Sequence, residues 1–111
     1  MLPEEQLALL EDIVEAAQQI QNYLSGVTRE QFLADTKLQD AVAMRFIVLG
    51  EAARDLTEET RQQFSEIPFH LMAGQRNIIA HAYGRINFER IYETAQRDIA
   101  PLIQKIKPFL E

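Results

Sequence analysis

The sequence contains no cysteine, and this absence removes whole classes of chemistry. Disulfide bonds, thiolate nucleophiles and cysteine-based zinc sites are all excluded. Long apolar runs are missing as well, because the run at residues 46–49 is far too short to cross a bilayer. The first residues are acidic and lack an apolar secretory core, so we expect no signal peptide and a soluble cytoplasmic protein.

Acidic residues are absent from one window, residues 67–88. With neutral histidines this window carries +2 from Arg76 and Arg85, which leaves −8 for the rest of a chain whose net charge is −6. An acidic chain with one basic segment is typical of a protein that processes a phosphate backbone at one place, rather than of one that coats a nucleic acid. Ordinary variation of charge along the chain is the alternative, and charge alone does not separate the two.

Apolar residues recur at spacings of three and four along most of the chain, which predicts amphipathic helices. No segment shows the two-residue alternation of a half-buried strand. The 111 residues are 47% hydrophobic, enough for one domain with its own core. The sequence therefore predicts a single all-α domain, residues 1–111, folded as an antiparallel bundle of about four to five helices.

Local signals predict where these helices begin, end and bend. Thr36 with Gln39 matches a capping box and predicts a long helix that begins at Thr36. Gly74 is expected to separate a short turn from the helix of residues 76–83, and Gly84 to end that helix in the left-handed conformation. Pro101 predicts a kink in the last helix, near residues 97–98. Further N-caps are predicted at Thr28, Thr57 and Asn87.

Two neighbouring residues of the long middle helix concern its packing. Gly50 in a helix interior costs about 1 kcal/mol relative to alanine, which indicates that another helix approaches closely there. Glu51 either is a solvated acid or holds Arg76, and we expect it to be solvated.

The stretch 76–83 separates polar from apolar side chains on a helical wheel drawn at about 100° per residue. With Arg76 at zero, Tyr83 falls about 20° away, Asn77 at about 100° and His81 at about 140°. Since the solvent side of a helix is usually Glu, Lys or Gln, a polar side made of Arg, Asn, His and Tyr indicates a functional site. The opposite arc, expected to anchor the helix, holds Ile78, Ile79 and Ala82.

Arg76 and His81 fit the cleavage of RNA. An imidazole exchanges protons near neutral pH, and a guanidinium matches the geometry of a phosphate. Together they suit attack of a ribose 2′-hydroxyl on the adjacent phosphate, with His81 moving the proton and Arg76 stabilising the phosphoryl charge. Asn77 and Arg85 are candidates for support and RNA binding. We expect no metal and no cofactor, since the acids are scattered and the two histidines lie eleven residues apart.

One histidine cannot readily be both the base for the nucleophile and the acid for the leaving oxygen. Two copies facing each other supply both, so we predict a two-fold homodimer whose 76–83 helices line a shared cleft. Arg76 and His81 lie about 140° apart within one copy, which weakens any site built from a single chain. Taken alone, His81 is compatible with a structural histidine, Tyr83 with packing at a helix end, and Arg85 with an ordinary surface position.

The stretch Arg76-Asn77-Ile78-Ile79-Ala80-His81-Ala82-Tyr83 resembles the R-N-x-x-x-H-x-Y signature of the HepT-like branch of HEPN ribonuclease toxins. The resemblance covers nearly the whole chain and is far more specific than the Arg–His spacing. Further segments resemble the family in the same order: Gln39-Asp40-Ala41, Leu49-Gly50-Glu51-Ala52-Ala53, Glu66-Ile67-Pro68 and Arg97-Asp98-Ile99-Ala100-Pro101-Leu102.

The resemblance implies a helical, homodimeric, metal-independent endoribonuclease, the toxin of a type VII-like toxin–antitoxin pair. Arg76 and His81 would be its catalytic pair, with Asn77 in support. Tyr83 would receive AMP from an MntA-like minimal nucleotidyltransferase antitoxin, to which ATP and Mg²⁺ would belong. The added bulk and negative charge would repel RNA. The alternative is a non-catalytic helical dimer that binds nucleotide or RNA, or docks a nucleotidyltransferase.

Overall fold

The computed structural model describes residues 2–111, and this part of the chain is helical without any β-strand. A short 3₁₀ turn, Tyr83–Arg85, joins the last two α-helices. The predicted all-α class is confirmed. The α-helices are α1 Glu4–Leu24, α2 Arg29–Leu33, α3 Thr36–Asp55, α4 Glu58–Gln62, α5 Phe69–His81 and α6 Phe88–Leu110.

The long helices form an antiparallel bundle in which α3 packs along both α1 and α5, while α6 packs against α1. The backbone N–H of Thr57 donates to Gln6 Oε1 (2.9 Å), which joins the end of α3 to the start of α1. The Tyr92 hydroxyl donates to the Val27 carbonyl (2.6 Å), which joins the start of α6 to the chain just after α1. The antiparallel arrangement follows the prediction.

Burial explains why the two shortest helices form. Helices of five residues are unstable alone in water, because nucleation costs more than so few hydrogen bonds return. Phe32 of α2 is fully buried and stacks on Tyr92 of α6 with ring centroids 5.6 Å apart. Burying such a side chain stabilises the fold by about 1.5–3 kcal/mol. Thr60 anchors α4, because its side chain is fully buried and its hydroxyl is hydrogen-bonded to the hydroxyl of Thr57.

Three of the predicted N-caps are confirmed, and α3 begins at Thr36 as predicted, but the capping box predicted from Thr36 and Gln39 is wrong. Thr28, Thr57 and Asn87 each accept a hydrogen bond from the backbone N–H three residues on. The long helix α3, however, is capped by Asp35, whose carboxylate accepts from the N–H of Leu38 (3.0 Å). Gln39 instead donates from its side chain to two carbonyls of α2, which ties α2 to α3.

The predictions for Gly74 and Gly84 are wrong. Gly74 lies inside α5, which runs unbroken from Phe69 to His81. Burial of Phe69 and Ile79 on one face of α5 outweighs the intrinsic cost of about 1 kcal/mol for a glycine in a helix. The helix ends before Gly84, because Ala82 leaves the α-region with φ −137°, and Gly84 has no positive φ.

Pro101 does not interrupt α6, which continues from Phe88 to Leu110. Proline has no N–H, so the carbonyl of Arg97 loses its helical donor. Pro101 is exposed, where water can satisfy that carbonyl. The kink near residue 97 stays a prediction.

Candidate functional site

Helix α5 turns one face to α3 and the other to solvent. The predicted site residues are divided between these two faces. Ile79 is only 2% exposed and anchors the helix as expected. Ile78, predicted on the same anchoring arc, is 55% exposed, so that part of the prediction is wrong. Asn77 and His81 lie on the exposed side, whereas Arg76 is partly buried against α3.

Gly50 of α3 allows α5 to lie very close to it. A Cβ built on Gly50 would lie 2.3 Å from the Cβ of Arg76 and 2.7 Å from the carbonyl oxygen of Met72. No side chain larger than hydrogen fits there unless a helix moves. The predicted close approach is therefore confirmed, and it fixes the backbone from which the Arg76 side chain extends.

The Arg76 guanidinium is held by two acceptors. Nη2 donates to Glu51 Oε1 at 2.9 Å, and Nη1 donates to Asn77 Oδ1 at 3.1 Å. The expectation that Glu51 is merely solvated is wrong, because it pairs with a guanidinium whose side chain is only 17% exposed. Arg76 Nε is buried and has no hydrogen-bond partner among residues 2–111. A guanidinium has five N–H donors, so donors remain for a phosphate.

His81 is the last residue of α5 and is exposed, so it is not a core histidine. Arg76 is partly buried and pairs with Glu51 of α3, whereas His81 is exposed. The structure thus joins Arg76 with Asn77, but His81 takes no part in that cluster. Arg85 is also exposed and stands outside it.

Tyr83 is not on the helix, contrary to the wheel. It begins the 3₁₀ turn that follows Ala82, and its hydroxyl donates to Asp40 Oδ1 of α3. Its ring meets Phe88 of α6 edge to face, with centroids 6.3 Å apart. The bond to the Asp40 carboxylate, then partial removal from water, then the carboxylate charge raise the pKa of Tyr83 above its usual value.

Sequence reasoning missed Asp40 and misjudged Glu51, the two α3 residues that bind site residues. Both are acids on a helix with many polar neighbours, and their partners lie 43 and 25 residues away. No spacing rule links residues so far apart. The available signal was that both acids lie in segments that carry the family resemblance.

A groove of about 430 Å³ lies beside the solvent face of α5, between that helix and α6. Leu71 and Ile78 line it from α5, and they are 73% and 55% exposed. Arg90 and Arg97 line it from α6, and neither Arg76 nor His81 does. This groove is therefore distinct from the Arg76 cluster.

Within residues 2–111 there is neither a group of side chains suited to a metal ion nor a helix suited to a membrane. No group of three histidine, aspartate or glutamate side chains in that part of the chain is placed to hold a metal ion. None of its helices has the length and apolar character needed to cross a membrane.

Comparison with known proteins identifies a family and named relatives. The family model described as "Ribonuclease HepT-like" matches residues 13–109. A protein of Thermococcus cleftensis named "Probable ribonuclease HepT" is 33% identical over 98 residues, covering 88% of this chain and 89% of that one. A protein of Caldanaerobacter subterraneus subsp. tengcongensis named "Putative RNase" is 29% identical over 102 residues, covering 92% and 91%. No solved structure matches the chain.

Proposed function

The chain belongs to the HepT-like ribonuclease family, and we propose that it is the endoribonuclease toxin of a toxin–antitoxin pair. The observation that carries the proposal is the exposed His81 at the end of α5, five residues after a guanidinium that is held in place on α3. The relatives' names as ribonucleases give the reaction class.

In the proposed reaction a ribose 2′-hydroxyl attacks the neighbouring phosphorus. His81 moves a proton, and Arg76 stabilises the negative charge that grows on the phosphoryl oxygens. The contacts of Arg76 support this role, because Glu51 and Asn77 each take one donor and hold the planar group in one orientation. Asn77 and Arg85 are exposed and are assigned to RNA binding.

The proposed active form is a two-fold homodimer. Within one chain Arg76 faces α3 while His81 faces solvent, so a second copy is the source of a complementary group. Leu71 and Ile78, at 73% and 55% exposure, leave apolar area on the same solvent side of α5. Covering such area is favourable by about 25 cal/mol per Å². A dimer that packs these faces together brings two His81 side chains into one cleft.

Tyr83 is the proposed site of inactivation by an MntA-like nucleotidyltransferase, which transfers AMP from ATP with its own Mg²⁺. The tyrosine is 50% exposed, so its hydroxyl is within reach of another protein. An adenylyl group would place a phosphate two residues after His81. The negative charge would repel RNA, and the bulk would block the cleft.

Replacement of His81 by alanine tests the reaction. We expect His81→Ala to abolish RNA cleavage while RNA binding persists, and His70→Ala to cleave normally. His70 is the matched control because it is an exposed histidine on the same helix, eleven residues away. Cleavage is measured on a labelled RNA with a metal chelator present, and product ends are examined for the cyclic phosphate that 2′-hydroxyl attack leaves.

If His81→Ala cleaves RNA as well as the wild type does, the assignment of His81 is wrong. The alternative, a non-catalytic helical dimer that binds nucleotide or RNA or docks a nucleotidyltransferase, predicts a different result. The wild type would then bind RNA without cutting it.

A further inference from the structure

Tyr83 and Asp40 are joined across 43 residues of sequence, between the turn after α5 and the first part of α3. The tyrosine hydroxyl is the donor and the carboxylate is the acceptor. Both side chains are exposed, and half of the tyrosine surface remains open to solvent. A nucleotide carried by another protein can therefore approach the hydroxyl while the pair stays intact.

A tyrosine hydroxyl needs help to act as a nucleophile. At neutral pH nearly every phenol carries its proton, and the neutral form attacks poorly. The Asp40 carboxylate raises the pKa of Tyr83, so the resting hydroxyl is still less ionised than usual. The proton must therefore leave during the attack, to a base already within hydrogen-bond reach. Protein kinases use an aspartate in this way on the hydroxyl of their substrates.

We propose that Asp40 is the general base for modification of Tyr83, an inference that rests on the adenylation step of the proposed function. Tyr83 Oη forms a bond to the α-phosphorus of a nucleoside triphosphate. The bond from the α-phosphorus to its bridging oxygen breaks, and pyrophosphate leaves. The phenolic proton passes to the Asp40 carboxylate and from there to water. The base belongs to the modified protein and not to the transferase.

The surroundings of Tyr83 favour this geometry. Phe88 of α6 meets the tyrosine ring edge to face at 6.3 Å between centroids, and Asp40 of α3 holds the hydroxyl. The ring is thus fixed by two helices while its outer side stays open. A nucleophile held in one orientation next to its base spares the transferase the cost of ordering it.

The variant Asp40→Asn tests the inference because asparagine still accepts a hydrogen bond but is not a base. Wild type and variant are incubated with an MntA-like nucleotidyltransferase and ATP, and AMP on the Tyr83 peptide is followed by mass spectrometry. We expect transfer to slow by about 10²-fold or more in the variant. Asp12→Asn is the control, since it removes the same charge from an exposed site on α1. In this variant Tyr83 should be modified at the wild-type rate.

A fluorinated tyrosine at position 83 separates a base from a mere tether. Its phenol ionises more readily, so it should recover part of the lost rate in Asp40→Asn. Thermal unfolding checks that both variants are folded. Transfer of AMP at the wild-type rate in Asp40→Asn, or no recovery of the rate with the fluorinated tyrosine, overturns the assignment of Asp40 as the base but not the proposed adenylation. An unmodified Tyr83 in the wild type overturns the proposed adenylation as well.

Discussion

Replacing Gly50 by alanine tests the packing that fixes the position of Arg76. The new Cβ would lie 2.3 Å from the Cβ of Arg76, whereas carbon atoms in contact prefer about 3.5–4.0 Å. It would also lie 2.7 Å from the backbone oxygen of Met72. Neither atom is the free end of a flexible side chain, so α5 must move away from α3 by roughly 1 Å or more.

The expected free-energy change has two parts of opposite sign. Overpacking of this kind typically costs about 1–3 kcal/mol. Alanine in place of a helical glycine returns about 1 kcal/mol through helix propensity. Because the overlap involves a backbone atom, we take the upper part of the cost range and expect a net loss of about 1–2 kcal/mol. In a domain of this size that lowers the melting temperature by about 4–8 °C.

Gly74→Ala is the matched control. Gly74 also lies inside a helix, but a Cβ there would have no atom within 4 Å. Only the propensity gain remains, so this variant should be more stable by about 0.5–1 kcal/mol. Urea unfolding, followed by circular dichroism at one protein concentration, gives the free energy of unfolding of both variants. An unchanged slope of that free energy against urea concentration shows that the folded and unfolded states are as compact as those of the wild type. If Gly50→Ala is as stable as Gly74→Ala, the close approach of α3 and α5 is wrong.

Three more predictions concern single residues. Asp35→Ala removes the N-cap of α3 and should destabilise the fold by about 1 kcal/mol in the same urea assay; an unchanged midpoint would exclude that cap. Arg85→Ala should weaken the binding of RNA whatever its sequence, and the slope of the logarithm of the dissociation constant against the logarithm of the salt concentration should fall by about one. An unchanged slope would show that Arg85 does not contact RNA. The raised pKa of Tyr83 means that its bond to Asp40 stabilises the fold below the pKa of an unfolded tyrosine, and that this contribution is lost as the pH rises through the folded value. Ultraviolet titration should therefore show earlier tyrosine ionisation in Asp40→Asn than in the wild type, and identical curves would contradict the bond.

The parts of the fold that depend on nearby residues were predictable. Thr28, Thr57 and Asn87 cap helices because each hydroxyl or amide reaches a backbone N–H only three residues away. The all-α class was also predictable, because the spacing of three and four between apolar residues is another relation between nearby residues. Gly74 shows the limit of such rules. Its low helix propensity predicted a break, but the burial of Phe69 and Ile79 on the same helix decides the outcome.

The sequence could nominate candidate site residues, but it could not give the contacts that they make. Arg76 and His81 could be chosen from their chemistry and from the family resemblance. The partners on α3 could not be fixed in advance. Holding Arg76 was only the alternative role for Glu51, and nothing near Tyr83 in the sequence pointed to Asp40, because both acids come next to their partners only after α3 and α5 pack antiparallel. The end of α5 was also missed. The break at Ala82 moved Tyr83 off the helix and toward Asp40.

These connections give α3 a larger role in the site than its sequence suggests. Glu51 holds the Arg76 guanidinium, Gly50 sets the distance of its backbone, and Asp40 holds Tyr83. All three lie on the one helix that packs along α5, so a shift of α3 relative to α5 changes the proposed cleavage residue and the proposed modification residue together. His81, by contrast, lies on the exposed side of α5. In the proposed dimer a second molecule would supply the environment of His81, so we expect cleavage to depend on protein concentration and the pairing of Arg76 with Glu51 not to depend on it.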